Sequence, residues 1–316
     1  MQVLTTDEAV IQQLTHPQVR DLAWACFSQA LLVRTESVDT RPIDNNLQAM
    51  FAMTPQRLQT LQELDSVPHA LENFLSQKSG RRRLGIYFEH LIEFFLLNDP
   101  DTELMVRNLA VRDDTRTLGE FDFVYADQAL GGLVVHLEIA LKFYMGLPES
   151  MTPSPARRWL GPGSHDALED KIEKTLTHQS RLANSIYGRK ALESSGVPFP
   201  HIQRVVIAGE LFEPQRTMTA PLACLSNHHR GKWVRVEVLG NHIRTWHKAA
   251  LLSKADWLTP LPSDFLNDHG VGTDKLQQQV CNHFAESQFP VMIEGIDQNG
   301  LSFDRTFVVP PSWPGR

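Results

Sequence analysis

Through the first 80 positions apolar residues recur at three- and four-residue spacing, which predicts helices. Thr5 and Glu8 have capping-box spacing at the start of one helix. Pro17 suits the first turn of a second, where its missing N–H costs little, and that helix carries Val19, Leu22, Ala23, Cys26, Phe27, Ala30 and Leu31. Between Asp39 and Pro55 the pattern weakens around Pro42 and a pair of asparagines, so a loop is expected. A further helix is expected from Arg57 to Gln77, with Ser79 and Gly80 breaking the chain after it.

The middle third changes character. Residues 83–97 form a strongly apolar helix. ELMVRNLAVRD, LGEFDFVYAD and GGLVVHLEIALKFYM are short, rich in Val, Phe, Leu and Tyr, and bounded by Asp or Gly, so they predict three successive strands. Gly131 and Gly132 mark the turn between the second and third. After a proline-rich loop at 147–163, Asp166 and Glu169 open a long helix with the stripe Leu168, Ile172, Leu176, Ala183 and Ile186. IQRVVIAGELF then reads as a buried strand. In the last hundred residues GKWVRVEVL reads as a strand and Asp274 to Ser287 as a helix; VMIEGID and SFDRTFVV flank Gln298-Asn299-Gly300 as a terminal hairpin.

Alternation places chemistry on the middle strands. In a strand, Glu120 and Asp122 share one face and Phe121, Phe123 and Tyr125 the other; His136, Glu138, Ala140 and Lys142 likewise share a face. Two neighbouring strands then present carboxylates beside a lysine. Carboxylate oxygens suit magnesium or manganese, while Glu opposite Lys is also an ordinary cross-strand pair. Glu89 sits between Phe88, Leu91, Ile92 and Phe95, where an unpaired charge is expensive. It calls either for a cation or for a place on a polar stripe beside Arg82 or Arg83. Glu93 and Gly85 share its helix face, and Gly85 leaves room for another element.

The order helix, three strands, helix, strand, with GEFDFVY at 119–125 and VVHLEIALK at 134–142, resembles the PD-(D/E)xK nuclease superfamily. The chain as a whole is similar to an uncharacterised bacterial family assigned to that superfamily. The resemblance covers about 81–213 and implies an α/β restriction-endonuclease-like core between a helical extension, 1–80, and a mixed α/β region, 214–316. It implies metal-dependent hydrolysis of nucleic-acid phosphodiesters, with Glu89, Asp122 and Glu138 converging on magnesium or manganese and Asp122, Glu138 and Lys142 catalytic. The superfamily's lysine stands two residues after the glutamate, where this chain has Ala140. Lys142 stands four after, on the same face and roughly 6–7 Å further along the strand. The alternative implied by Ala140 is a non-catalytic nucleic-acid or protein interaction module that retains the fold.

Auxiliary positions are Glu120, Gln179 on the apolar stripe of the following helix, and Lys171 as a second migrated lysine. Gln179 is equally a core glutamine, and for Lys171 the solvated reading outweighs the site one. Arg81, Arg82, Arg83, Arg157 and Arg158 are candidate phosphate contacts, expected with Lys171 to rim the cleft of Asp122. Lys78 and the run His228, His229, Arg230 and Lys232 carry less weight for the same role.

Composition narrows the classes. The 316 residues include 30 Lys and Arg against 37 Asp and Glu, a net charge of −7. That excludes a protein that coats nucleic acid by charge alone, though not a local basic groove. With 42% hydrophobic and 21% charged residues the chain is globular rather than disordered. Three separated cysteines, Cys26, Cys224 and Cys281, give neither a CxxC pair nor a disulfide framework. No signal peptide and no apolar run of about 20 residues is visible, so a cytoplasmic protein without a membrane span is expected.

Overall fold

The computed structural model describes residues 6–38, 47–80, 83–152, 157–177, 179–214 and 217–315, with the side chains of 6–8 and 179–181 excepted. The fold is mixed α/β. It opens with α1 (Thr6–Gln13), α2 (Pro17–Phe27), β1 (Leu32–Ser37), α3 (Pro55–Ser66), α4 (His69–Ser76) and α5 (Leu84–Asn98). There follow β2 (Thr102–Arg112), β3 (Thr117–Asp127), β4 (Leu133–Gly146), β5 (Trp159–Leu160), α6 (Leu168–Thr177), α7 (Ile186–Ser194) and β6 (Ile202–Glu213). The last part holds β7 (Arg230–Arg235), α8 (Leu239–His242), β8 (Lys248–Leu252), α9 (Ser263–His269), α10 (Thr273–Glu286), β9 (Val291–Ile296) and β10 (Thr306–Val309).

The chain forms two compact units. The first is Met1–Leu141, Ile172–Ala208 and Ala223–Leu225; the second is Lys142–Lys171, Gly209–Leu222 and Ser226–Arg316. β4 and β6 each begin in the first and end in the second.

In the first unit β2, β3 and β4 form an antiparallel meander, with β6 beside β4 and β1 antiparallel to β6. The β3–β4 turn uses Gly131 and Gly132 at φ 73° and 77°, a region that side chains with a Cβ rarely enter. On one sheet face the Tyr125 ring lies 6.2 Å from Phe51, and Phe51 lies 4.4 Å from Phe95 of α5. On the other face Val111, Phe121, Val124 and Val134 pack with Ala183, Leu192 and Val197. α5 therefore lies deep, with residues 88 and 90–96 buried, and its C-terminal end is fixed by a buried pair. Arg57 of α3 donates from Nε and NH2 to Asp99 at 2.8 and 3.0 Å and from NH1 to the Ala52 carbonyl at 2.8 Å.

In the second unit β5 pairs with the end of β4, and the end of β6 runs parallel to β7. β7 is parallel to β10, which is antiparallel to β9, itself antiparallel to β8. α10 covers this sheet through Leu276 and Val280, packed with Val234, Trp246, Ile293 and Val308. Gly209 on β6 has φ 132°, and a Cβ there would lie 1.7 Å from the Lys142 carbonyl oxygen, so only glycine fits.

The α5, β2, β3, β4 and β6 segments and the terminal hairpin form as the pattern predicts. Other expectations need correction. The first 80 residues are not all helical: α2 ends at Phe27, so Ala30 and Leu31 lie beyond it, and the chain from Leu32 enters β1, which gains a sheet partner in β6. The helix expected over 57–77 divides at Pro68, which cannot continue a helix interior. The single helix after Asp166 is α6, a 3-10 turn over Gln179–Asn184, and α7. Ser185 accepts the Gly188 N–H at 2.9 Å and starts a new helix there. The strand in GKWVRVEVL stops at Arg235 and passes into a 3-10 turn. Thr5, Pro42 and the stretch 39–46 lie outside the described residues. Among the described residues no helix is long and apolar enough to cross a membrane.

Candidate functional site

α5 packs against β2, and that contact sets the first part of the site. Glu89 and Glu93, one turn apart, both face Arg107 of β2. Arg107 NH1 donates to Glu93 at 2.6 Å and NH2 to Glu89 at 3.3 Å. Lys78 also donates to Glu93 at 2.7 Å, and His90 Nδ1 lies 3.5 Å from the same carboxylate. Among the described residues Glu93 thus carries two Lys or Arg cations and Glu89 one. Arg107 is the cation beside Glu89 among the described residues; Arg83 makes no ion pair with it, and Arg82 lies outside them. A lone arginine inside ELMVRNLAV was the available signal, and strand alternation alone gave it no role. Lys78 is engaged by Glu93 rather than free for a phosphate. A Cβ on Gly85 would meet open space, so among the described residues no element approaches there.

Asp122 occupies an interruption of the sheet. β3 pairs with β2 as Arg107↔Phe123 and Leu109↔Phe121, and Asn108 between them has φ 52°. Asparagine tolerates this left-handed conformation better than most residues. Pairing of β3 with β4 ends at Phe123↔Leu137, and the next step is made by a side chain: the Ile139 N–H donates to Asp122 Oδ2 at 2.9 Å. The strict alternation expected for β3 breaks here, because Phe121 shares an apolar cluster with Val124 instead of facing away from it.

The electrostatics follow from this placement. Burial first, then the negative charge of Glu138, push the Asp122 carboxyl up to about 7, with Glu89 adding in the same sense and the Ile139 N–H opposing. The charges of Glu138 and Glu89 thus reach Asp122, and among the described residues no cation pairs with it. Glu138 is buried at 2% exposure, and its Oε2 lies 3.7 Å from Nε2 of His136. His136 is buried at 1%, its ring 4.8 Å from Phe121. Burial lowers its pKa to about 4 although Asp122 pulls the other way, so the imidazole is neutral at pH 7.

The remaining candidates are dispersed. Glu120 is exposed on β3. Lys142 belongs to the second unit, where its Nζ donates to Asp166 at 2.5 Å and the Tyr144 hydroxyl donates to the same oxygen at 3.2 Å. Lys171 of α6 is half-buried. Arg157 lies 3.9 Å from Asp170 and donates to the His165 carbonyl, and Arg158 pairs with Glu149 at 3.3 Å. Arg83 is exposed at the start of α5. Arg81, Arg82 and the Gln179 side chain lie outside the described residues. Arg230 and Lys232 both hold the buried Glu213, and His228 is buried at 1% with Nδ1 2.9 Å from the His229 carbonyl oxygen.

The second unit holds an acidic cluster of its own that alternation did not reveal. Arg305 lies between Glu210, at 3.3 Å, and Glu294, at 2.7 Å, and donates to the Trp257 carbonyl at 2.8 Å. The Leu261 N–H donates to Glu294 at 2.6 Å. Burial pushes Glu210 up, Arg305 opposes it and Glu294 adds to it, with a balance of about 7.

Among the described residues no three His, Cys, Asp or Glu side chains are already gathered as a metal-holding set. The donors around Asp122 nevertheless fit a divalent cation in kind: they are hard carboxylate oxygens of like charge.

The chain belongs to the family described as Domain of unknown function (DUF1853), whose model matches residues 20–309. No curated protein and no solved structure matches it.

Proposed function

We propose that the protein is a metal-dependent nuclease built on a PD-(D/E)xK, restriction-endonuclease-like core, which hydrolyses nucleic-acid phosphodiester bonds. The observation that carries the reading is the placement of the Asp122 carboxylate at the interruption of β3, bonded to the Ile139 N–H at 2.9 Å, within reach of the negative charges of Glu138 and Glu89 and with no cationic partner among the described residues. Support also comes from the element order α5, β2, β3, β4, α6 with α7, then β6.

In this reading Asp122, Glu138 and Glu89 hold magnesium or manganese. Such a cation supplies a more acidic bound water and charge stabilisation at the phosphate. Arg107 keeps Glu89 turned toward β2, and Glu93 fixes Arg107 in turn. Lys142 is carried as the charge-neutralising group on its chemistry and its position four residues after Glu138. Arg81, Arg82, Arg83, Arg157, Arg158 and Lys171 are carried as phosphate contacts; binding through them weakens steeply with salt as counterions are released.

The second reading, a non-catalytic nucleic-acid or protein interaction module, is favoured by Ala140 at the usual lysine position and by the engagement of Lys142 with Asp166. A panel of single- and double-stranded DNA and RNA, assayed with magnesium or manganese, separates the two. Cleavage by the wild type, lost in Asp122→Asn, is expected. No cleavage of any substrate overturns the enzyme reading in favour of the module.

A further inference from the structure

His136 has no place in the mechanism above, and its surroundings are unusual. It is 1% exposed, and neither ring nitrogen has a hydrogen-bond partner among the described residues. An imidazole carries two polar nitrogens, and a buried polar group without a partner is costly enough that native proteins rarely keep one. Its apolar contact, the edge of Phe121, could be made by a leucine or a phenylalanine without that cost. The nitrogens therefore call for a partner that the described residues do not supply.

The direction of the ring narrows what that partner is. His136 precedes Glu138 by two residues on β4, so both side chains leave the strand on one face. Nε2 lies 3.7 Å from the Glu138 carboxylate, longer than a hydrogen bond. Two metal–ligand bonds of about 2.0–2.2 Å each span such a gap with an open angle at the metal. Asp122, whose negative charge reaches His136, stands on the neighbouring strand.

From these observations we infer that His136 is a nitrogen ligand of the cation held by Asp122 and Glu138, so that the site takes a first-row transition metal of the manganese class in preference to magnesium. The inference rests on the metal-site reading above and specifies its metal. Magnesium binds oxygen donors in strict octahedral geometry and gains little from an imidazole, whereas imidazole nitrogen suits the transition metals.

The experiment uses the full chain loaded with manganese alone. Pulsed electron paramagnetic resonance detects a nitrogen nucleus bonded to the ion, and titration calorimetry gives the affinities for manganese and magnesium. The wild type is expected to show a nitrogen coupling and to bind manganese at least about tenfold more tightly than magnesium. His136→Gln should abolish the coupling and lower manganese affinity by about 10–100-fold, the range even an outer-sphere partner commands. It should leave magnesium affinity nearly unchanged. Asp122→Asn should abolish binding of both ions. Binding that depends on Asp122 but shows no nitrogen coupling in the wild type overturns the role of His136 and leaves the carboxylate site standing. A coupling that survives His136→Gln assigns the nitrogen to another histidine and overturns it equally. No binding of either ion by the wild type removes the metal site and this inference together. Because the wild-type spectrum already decides for or against a nitrogen ligand, a His136→Gln protein that fails to fold does not shelter the idea.

Discussion

Each unit buries carboxylates close together, and in each unit one of them is held at about 7: Asp122 in the first and Glu210 in the second. The titration of a single group does not tell the two clusters apart. Their partners do. Arg305 stands between Glu210 and Glu294, and the Trp257 carbonyl and Leu261 N–H complete the arrangement, so that cluster is closed within the protein. In the first unit Arg107 is directed to Glu89 and Glu93, on the α5 side, and Asp122 is left with one backbone N–H. A closed network of this kind holds a fold together. A cluster of like charges beside an imidazole with no hydrogen-bond partner among the described residues lacks such a closure, and it is the arrangement on which the proposed cation site rests.

The largest effect that would break this contrast is on the closed side. Arg305→Met leaves Glu210 and Glu294 buried against each other, and the loss of one partner from a buried pair costs about 3–5 kcal/mol. Urea unfolding at pH 7.5 measures it. A loss below about 1 kcal/mol would mean that Arg305 is not structural and that the two clusters are alike.

The opposite sign is expected at Asp122. A carboxyl whose pKa is raised by folding binds its proton more tightly in the native state. Its favourable contribution is whole below about pH 4, the ordinary aspartate value, and is lost as pH rises through about 7. Asp122→Asn keeps an acceptor for the Ile139 N–H and removes the ionisation. At pH 8 the variant should be more stable than the wild type by about 2–4 kcal/mol, from a rise of roughly three pKa units, and at pH 4 the two should coincide. Manganese should reverse the order at pH 8 by stabilising only the wild type. A variant less stable at both pH values would place Asp122 with the closed kind of cluster.

What was legible beforehand follows the same division. The runs that build α5 and the three strands were readable because their faces differ sharply in polarity, and Glu89, Asp122 and Glu138 were readable as acids embedded in those runs. Alternation failed at β3, where the interruption between Asn108 and Asp122 lets Phe121 and Val124 share one core. The two arginines that give the clusters their characters were not legible. Arg107 and Arg305 act through residues 14 and 95 positions away, Glu93 and Glu210, and such pairings exist only after the strands have assembled. His136 was visible on the face of Glu138, but that its nitrogens lack partners is a property of the packed core.

A smaller effect tests how Arg107 is used. Among the described residues Arg107→Gln removes the cation on half-buried Glu89 and one of the two on buried Glu93, where Lys78 remains, and should cost about 1–3 kcal/mol. If Arg107 also restrains Glu89 for cation binding, manganese affinity falls in Arg107→Gln, while Lys78→Gln, whose ammonium pairs with Glu93 and lies over the Phe74 ring, leaves it unchanged. Equal losses in the two variants would reduce Arg107 to a structural tie.

The smallest effect on stability, and the one that separates a working site from a relic, is at Lys142. Its pair with Asp166 is 30% and 44% exposed, and pairs so open to water contribute about 0–1 kcal/mol. Lys142→Ala should therefore unfold within about 1 kcal/mol of the wild type and bind manganese as before. Any fall in cleavage beyond tenfold is then chemical, because neither folding nor the cation has changed. The double variant Ala140→Lys with Lys142→Ala returns an ammonium to the position two residues after Glu138 and should recover part of the activity. Ala140 is half-buried, so overpacking of about 1–3 kcal/mol must be measured alongside and subtracted from the comparison. If the wild type cleaves nothing, Ala140→Lys alone is the remaining arm. Activity gained there would show a carboxylate site intact but short of its ammonium, and continued inactivity in a folded, manganese-binding protein would leave the cluster a cation site in an interaction module.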